Sequence, residues 1–412
     1  MPHRYGGVSA ARILTTGMLV GVALSMAAQS VSLHRAVAGG GEQALLTLIQ
    51  YRLAASDLPG GYIPQDETAS TNAAIAFAQP AEQRTPVLRQ LAASGRITGF
   101  QQLFAGRQAD KLPAVAYLVA LYRDVGSAAA TVLASLPGGP TDPTDSFAEP
   151  TLGDVARALH SSVRTSDGSS VDRFIVTWSR GQVVLAVSVD GPPDTTGNMA
   201  LRLAQAADAH AAAGGAFSSD AVAPDETTEL ALAIGLDGDQ LPTGSVPEGF
   251  TRSGSYLWSN EQIELQSCLP QKEAGRLTED LARVTGEVEY FVSNRTASVI
   301  SSGYSVFYDA AGAQMALIDD PLNSGVRQAI VSISPPVQLG EETVAFETVL
   351  RWPQGDLRDS YTLQWRHGQL VLSIVVNQPS GRPRPAYFGD LAKSLDNAYL
   401  SNPLPVVAGP LN

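Results

Sequence analysis

One β-hairpin pattern occurs twice in the chain and limits the possible folds more than any other feature. The first copy contains Trp178-x-x-Gly181 and the second Trp365-x-x-Gly368, 187 residues further along, each followed by Gln. On both sides of each motif, apolar residues alternate with Ser, Thr, Gln, Arg and Ala, as in two paired strands with one buried face. Because a slip of one residue would move the apolar side chains to the other face, this pattern restricts how the strands pair.

The pattern also predicts where each hairpin turns. With the turn at Arg180-Gly181 and at His367-Gly368, glycine is the second turn residue and is expected to have a positive φ. The cross-strand pairs predicted from this turn are Trp178 with Val183, Val176 with Leu185, Phe174 with Val187, Trp365 with Leu370, Leu363 with Leu372 and Tyr361 with Ile374. We interpret the two Trp residues as core residues that pack beside the turn. The alternative interpretation is that they are exposed and form a platform for a ligand.

Further matches at nearly the same spacing predict a tandem duplication. Two homologous domains are expected, residues 42–213 and 229–402, joined by a linker of residues 214–228 and followed by an irregular tail, residues 403–412. The linker and the tail are rich in Gly, Pro and small residues. The matched residues include Thr98-Gly99 with Thr285-Gly286, Tyr117 with Tyr304, Leu152-Gly153 with Leu339-Gly340, and Asp208 with Asp396.

Each copy is predicted to have an α+β fold, in which helices pack on one face of an antiparallel sheet. Strands are expected near residues 97–104, 114–122 and 155–163, ahead of the hairpin, and a short helix near residues 127–134. A terminal helix is predicted because Met199, Leu203 and Ala207 recur at a spacing of four residues. Strands joined by short turns favour antiparallel pairing.

The N-terminal segment, residues 1–41, is predicted to be a signal peptide or a membrane anchor. Arg4 and Arg12 precede an uncharged run, residues 13–28, which is typical of a secretory signal. Extended to Leu33, the run is long enough to span a bilayer as an uncleaved anchor. Both interpretations place the rest of the chain outside the cytoplasm. A third interpretation is a buried helix of the first domain.

Charge and cysteine content exclude several classes of function. The formal net charge is −13, and such a surface repels nucleic acid and anionic lipid headgroups, so membrane contact is expected only through residues 13–33. Cys268 is the single cysteine, which excludes an intrachain disulfide. We expect it to be a buried small apolar residue, since free cysteine is among the most buried residue types.

Motifs that carry catalysis or bind cofactors are missing from the sequence. No nucleophile elbow, phosphate-binding loop or dinucleotide motif is present, and no histidine has metal-ligand spacing. We therefore predict no catalytic, cofactor-binding or metal-binding residues. His160 is interpreted as structural and His367 as a residue that fills a turn, while His160, His210 and Cys268 are expected to lie far apart. The remaining histidines, His3 and His34, flank the N-terminal apolar run.

The order of elements, together with Pro59-Gly-Gly-Tyr62, Leu152-Gly153 and Trp178-x-x-Gly181, resembles that of PsbP-like α+β modules. Those modules occur in extracytoplasmic accessory proteins and lipid-linked bacterial proteins. Because the shared residues are packing residues, the resemblance implies a topology and a binding role, and it implies no catalysis.

The sequence thus predicts a non-enzymatic extracytoplasmic protein of the cell envelope that binds a protein partner or an apolar small molecule. One alternative is a secreted hydrolase with catalytic residues from scattered segments, and another is a structural envelope protein without a ligand. Polar residues present in one copy and missing from the matching positions of the other would mark a functional site. In the predicted binding protein, any sizeable pocket is expected to have mainly apolar walls.

Overall fold

The computed structural model describes Leu45 and most of the chain from residue 48 onward. The described ranges are residues 48–106, 113–134, 145–164, 170–191, 193–213, 226–237, 241–266, 281–293, 295–318, 331–351 and 357–403. The predicted signal or anchor, most of the linker, Cys268, His3 and His34 lie outside these ranges. None of the helices within them is long and apolar enough to cross a membrane.

The described residues form two compact units. The first unit comprises those of residues 39–72 and 85–224, and the second comprises those of residues 73–84 and 225–412. The domain limits at 42–213 and 229–402 stay predictions.

The first part of the chain contributes seven strands. In chain order the elements are β1 (Tyr62–Ala69), α1 (Asn72–Phe77), α2 (Ala81–Ala93), β2 (Arg96–Gly106), β3 (Ala114–Tyr122), α3 (Val125–Leu133), β4 (Asp145–Ala148), β5 (Val155–Arg164), β6 (Ser170–Arg180), β7 (Val183–Gly191) and α4 (Pro193–Ala213).

The second part contributes seven more. These elements are α5 (Thr227–Asp237), β8 (Thr251–Leu257), α6 (Asn260–Gln266), β9 (Arg283–Ser293), β10 (Ser298–Phe307), α7 (Ala310–Ile318), β11 (Val331–Ser332), β12 (Glu342–Arg351), β13 (Leu357–His367), β14 (Leu370–Pro379) and α8 (Phe388–Ser401). Short 3₁₀ turns lie at Ile49–Tyr51, Ala55–Asp57 and Thr243–Ser245.

Both sheets are antiparallel and have the same strand order. The first runs β1-β2-β3-β7-β6-β5-β4, and the second, from its own first strand, runs β8-β9-β10-β14-β13-β12-β11. The predicted α+β class with two domains is therefore confirmed. α1 and α2 connect β1 to β2, α3 lies between β3 and β4, and the hairpin of β6 and β7 brings β7 beside β3 in the middle of the sheet.

Helices pack on both faces of each sheet, so the prediction that they cover one face is wrong. In the second unit, α8 packs against the face that carries Trp365 and Leu372, while α7 packs against the face of Val371 and Phe307. In the first unit, α3 packs against Ala120 and its neighbours. The physical reason is that the central strands carry apolar residues on both faces, and each face must be shielded from water.

The register of both hairpins differs from the predicted one by two residues. Arg180 pairs with Val183, so the two turn residues are Gly181 and Gln182, and Trp178 faces Leu185. In the second hairpin Trp365 faces Leu372. The six predicted pairs are wrong, but a shift of two keeps every side chain on its predicted face.

The glycine of each turn has a positive φ as predicted, but it is the first turn residue. The φ angles are +59° at Gly181 and +56° at Gly368, and a two-residue turn of the II′ kind needs a positive φ only at this position. The side-chain amide of the following residue, Gln182, donates to the carbonyl of Arg123 at 2.6 Å.

The two hairpin Trp residues are core residues. Trp178 and Trp365 are fully buried, so the exposed ligand platform is excluded. The indole nitrogen of Trp365 donates to Oδ1 of buried Asp396 in α8 at 2.7 Å. The second hairpin is thus packed against α8, on the face opposite the groove described next.

Candidate ligand groove

A groove lies on the face of the second sheet that α6 and α7 partly cover. Its cavity volume is about 50 Å³, and it is partly open to solvent. This volume is below the roughly 300–1,000 Å³ of most small-molecule sites, so a ligand would fill the enclosed part and extend through the open side. Its apolar lining residues are Trp258, Ile263, Val288, Phe307, Ala316, Val371 and Val375. Its polar lining residues on the same face are Tyr290, Ser301, Ser305, Gln364 and Ser373, with Gly303 between them.

The floor of the groove is a row of residues across four adjacent strands. Val288 of β9 pairs with Gly303 of β10, Gly303 pairs with Ser373 of β14, and Ser373 pairs with Gln364 of β13. Side chains in one such row point to the same face of the sheet. Since Gly303 has no side chain, the floor is lowest at the centre of the row.

One buried polar atom on this floor has no partner. The side chain of Gln364 is 2% exposed, and its Oε1 accepts no hydrogen bond from the described residues. Its neighbour Ser373 donates to the backbone carbonyl of Gly303 at 3.4 Å. Buried acceptors in folded proteins are nearly always hydrogen-bonded, so an unpaired amide carbonyl that faces a groove is a candidate acceptor for a donor group of a ligand.

The matching row of the first sheet is filled. Leu118 of β3 pairs with Ala186 of β7, and Ala186 pairs with Thr177 of β6. Leu118 packs against an apolar cluster of α3 and its neighbouring strands. Position by position in the sheet, Gly303 stands where the first unit has Leu118, and Gln364 stands where it has Thr177. The second unit therefore has both the space and the unpaired amide.

This comparison requires a correction to the predicted match of Tyr117 with Tyr304. Leu372 of the second hairpin matches Leu185 of the first. In the structure Leu372 pairs with Tyr304, whereas Leu185 pairs with Val119 and not with Tyr117. β10 is therefore displaced by two residues relative to β3. An alignment of the two copies at the constant spacing of 187 residues matches Gly303 with Ala116. It therefore does not show that Gly303 replaces Leu118.

A larger depression lies in the first unit, between α2 and α3. Its volume is about 530 Å³, and it is more open than the groove. Its rim carries the exposed ion pair of Arg123 and Asp124, 3.0 Å apart. Within the described residues that line it, no buried polar side-chain atom is without a partner.

His160 belongs to a small polar cluster on β5 and β6. Its Nε2 lies 3.0 Å from Oδ1 of Asp172, and the Ser162 hydroxyl donates to the same oxygen at 2.6 Å. These hydrogen bonds, that of Ser162 first, hold the pKa of Asp172 below its usual range. Serine and histidine both bind the carboxylate, so the cluster lacks the serine-to-histidine hydrogen bond that activates a nucleophile.

The other described histidines also pair with carboxylates. His367 Nε2 lies 2.6 Å from Asp396 Oδ1, so the interpretation that it only fills a turn is wrong. Nδ1 of His210 lies 3.7 Å from Asp57 Oδ2. In the described part of the chain, no three His, Cys, Asp or Glu side chains are grouped so that they could hold a metal.

A buried arginine supports the groove from one end. The guanidinium of Arg283 donates to Oδ1 of Asn260 at 2.7 Å and to the carbonyl of Trp258 at 2.8 Å. Trp258 is itself a lining residue. Arg96 makes the matching bonds in the first unit, to Oδ1 of Asn72 at 2.8 Å and to a neighbouring carbonyl. The sequence interpretation missed both arginines.

Charges around Arg283 change its ionisation and that of two carboxylic acids. Burial lowers the pKa of Arg283 to about 9, against the opposing effect of Glu229 and Glu261. Burial, with the charge of Glu261 next, raises the pKa of Glu229 well above its usual value, and burial also raises the pKa of Glu261. Burial therefore opposes the charged form of all three groups.

Comparison with protein-family models finds no match, and neither does comparison with curated proteins. Comparison with solved structures finds the crystal structure of MucB in complex with MucA(peri). The identity is 11% and the TM-score 0.14, over 84% of this chain and 100% of the other. A likeness this weak carries no argument about fold or function.

Proposed function

We propose that this is a non-enzymatic binding protein whose second unit holds an apolar small molecule. The observation that carries the proposal is the groove floor at Gly303, which is open where the first unit has Leu118 and which holds the unpaired carbonyl of Gln364. Apolar walls with a few fixed polar groups are the usual character of small-molecule sites.

The groove favours binding over the hydrolase alternative. Its described lining contains three serines but no histidine beside them, and the Ser373 hydroxyl donates to a backbone carbonyl. A serine nucleophile needs a neighbouring base that takes its proton. A protein partner in place of a small molecule is the alternative that the experiment below also addresses.

We propose further that the two units arose by tandem duplication and that the protein acts outside the cytoplasm. The identical strand orders support the duplication, while the resemblance to PsbP-like modules stays a prediction. The uncharged run after Arg4 and Arg12 supports export through residues 13–33. A phosphatase that folds only outside the cytoplasm, fused after Asn412, is expected to be active. Activity confined to a cytoplasmic reporter at the same position would contradict export.

We expect Gly303→Leu to abolish binding of an apolar fluorescent probe. Leucine would occupy the lowest part of the floor, as Leu118 does in the first unit, and would exclude the probe. The measurement is titration of the full chain with N-phenyl-1-naphthylamine, followed by its fluorescence. A loss of more than about tenfold in affinity is expected, since excluding even two buried CH₂ groups costs about 1.6 kcal/mol.

Leu118→Gly is the matched control, because it makes the reverse change in the first unit and should leave the probe affinity of the groove unchanged. Gly303→Ala is an intermediate: a Cβ there would lie 3.1 Å from Ser373 Oγ, a contact relieved by rotation of the hydroxyl. Thermal melting of each variant establishes that it is folded. The proposed function would be refuted if the wild-type chain showed no saturable binding of the probe. It would also be refuted if folded Gly303→Leu bound the probe with unchanged affinity.

A further inference from the structure

We infer that the ligand is a neutral amphiphile, an apolar body with one hydroxyl group, and that this hydroxyl donates a hydrogen bond to Oε1 of Gln364. The inference rests on the proposed function and specifies its ligand.

The position of the polar row determines how such a ligand lies. On one side of the row are Trp258, Ile263 and Phe307, which together with α7 form the most apolar end of the groove. The row itself, Gly303, Ser373 and Gln364, crosses the middle of the floor. An apolar chain or ring system can therefore pack against the aromatic end while its polar group reaches the row.

The chemistry of Gln364 selects the polar group. Its buried Oε1 accepts nothing from the described residues, so a ligand group that donates to it gains a hydrogen bond. The two ends of a glutamine amide exchange by rotation about χ3, and a hydroxyl can both donate and accept, so it satisfies either orientation. Ser373, the cross-strand neighbour of Gln364, offers a second hydroxyl beside the same position.

The electrostatics of the groove exclude a charged group. Among the described lining residues the only carboxylic acid is Glu287. It pairs across the strands with Tyr304, a residue of the core under α8, so its side chain points to the opposite face. Burying a carboxylate or an ammonium group here without a counter-charge is unfavourable. The net charge of −13 adds a repulsion against anions.

The test is displacement of bound N-phenyl-1-naphthylamine from the full chain by three matched compounds: 1-dodecanol, its methyl ether and dodecanoate. The ether keeps the oxygen and the chain but cannot donate. We expect dodecanol to displace the probe at about three- to tenfold lower concentration than the ether, the factor that one neutral hydrogen bond supplies. Dodecanoate should be the weakest of the three.

Gln364→Leu is expected to abolish the preference for the alcohol over the ether, measured relative to the variant's own affinity for the probe. Thr177→Val, the matching position of the first unit, should leave the preference intact. Three results would overturn the inference. The alcohol and the ether could displace the probe equally from the wild type, the preference for the alcohol could persist in Gln364→Leu, or dodecanoate could bind more tightly than dodecanol. The wild-type comparison decides the question even if Gln364→Leu fails to fold. Absence of Gly303-dependent probe binding would instead refute the proposed function itself.

Discussion

Arg283→Met is expected to destabilise the second unit by about 3–5 kcal/mol at neutral pH, the usual cost of removing one member of a buried charge cluster. The guanidinium satisfies Oδ1 of Asn260 and the carbonyl of Trp258. Methionine fills a similar volume but leaves these acceptors without their donor. It also removes the positive charge that Glu229 and Glu261 share.

The cost of Arg283→Met should increase with pH. Glu229 and Glu261 have folded-state pKa values above their unfolded ones, so the stability that each contributes is present at low pH and is lost as pH rises. Without Arg283 those pKa values rise further, and the carboxylates ionise at a greater cost to the fold. The difference in stability between variant and wild type is therefore smallest in acid.

The measurement is urea unfolding at several pH values, with amide hydrogen exchange of β9 and β10 to report on the second unit alone. Lys393→Met is the surface control, because Lys393 pairs with exposed Asp390 at 3.2 Å and such pairs contribute about 0–1 kcal/mol. A cost for Arg283→Met below about 1 kcal/mol, or one that does not change with pH, would contradict the role assigned to the cluster.

Alternation of apolar residues was enough to predict the fold class and the buried face of each hairpin. It could not predict the register, because a shift of two residues leaves the alternation unchanged, and the turn decided between the two registers. Turns with glycine as first or second residue are both common. The side chain of Gln182, which binds the carbonyl of Arg123, holds the observed one in place.

The groove could not be predicted because it depends on a difference between β3 and β10. These two strands are shifted by two residues relative to each other when the copies are aligned at a constant spacing. Only the sheet pairing shows that Gly303 occupies the position of Leu118. The buried arginines, in contrast, did leave a signal. Arg96 and Arg283 are 187 residues apart, as the two hairpin motifs are, and each begins an apolar strand where a charge is unexpected.

A second large effect is expected at Asp66, in β1 of the first unit. Burial raises the pKa of Asp66 to about 7; the charge of neighbouring Glu67 adds to the rise, and the hydrogen bond from Thr68 Oγ1 to Oδ2, 2.9 Å long, opposes it. A β-bulge next to Pro64 interrupts the regular pairing of β1 just before Asp66.

Asp66→Asn is therefore expected to stabilise the protein at pH 8 and to leave it nearly unchanged at pH 4. The pKa of an unfolded Asp is about 3.9, so the stability that the protonated form contributes is complete below that value and is lost between about pH 4 and pH 7. Three pKa units correspond to roughly 4 kcal/mol. Asparagine keeps an acceptor for Thr68 and never ionises, so the variant avoids this loss.

Urea unfolding of both proteins at pH 4, 6 and 8 measures the effect. Asp124→Asn is the control of opposite sign: Asp124 is exposed, and the hydrogen bonds from Ser127 lower its pKa. The stability that the Asp124 carboxylate contributes is present above its unfolded pKa and is lost as pH falls. Asp124→Asn therefore gives no gain in stability at pH 8. If Asp66→Asn raised stability equally at pH 4 and pH 8, the effect would come from packing, and the buried carboxyl would not be the source of the pH dependence.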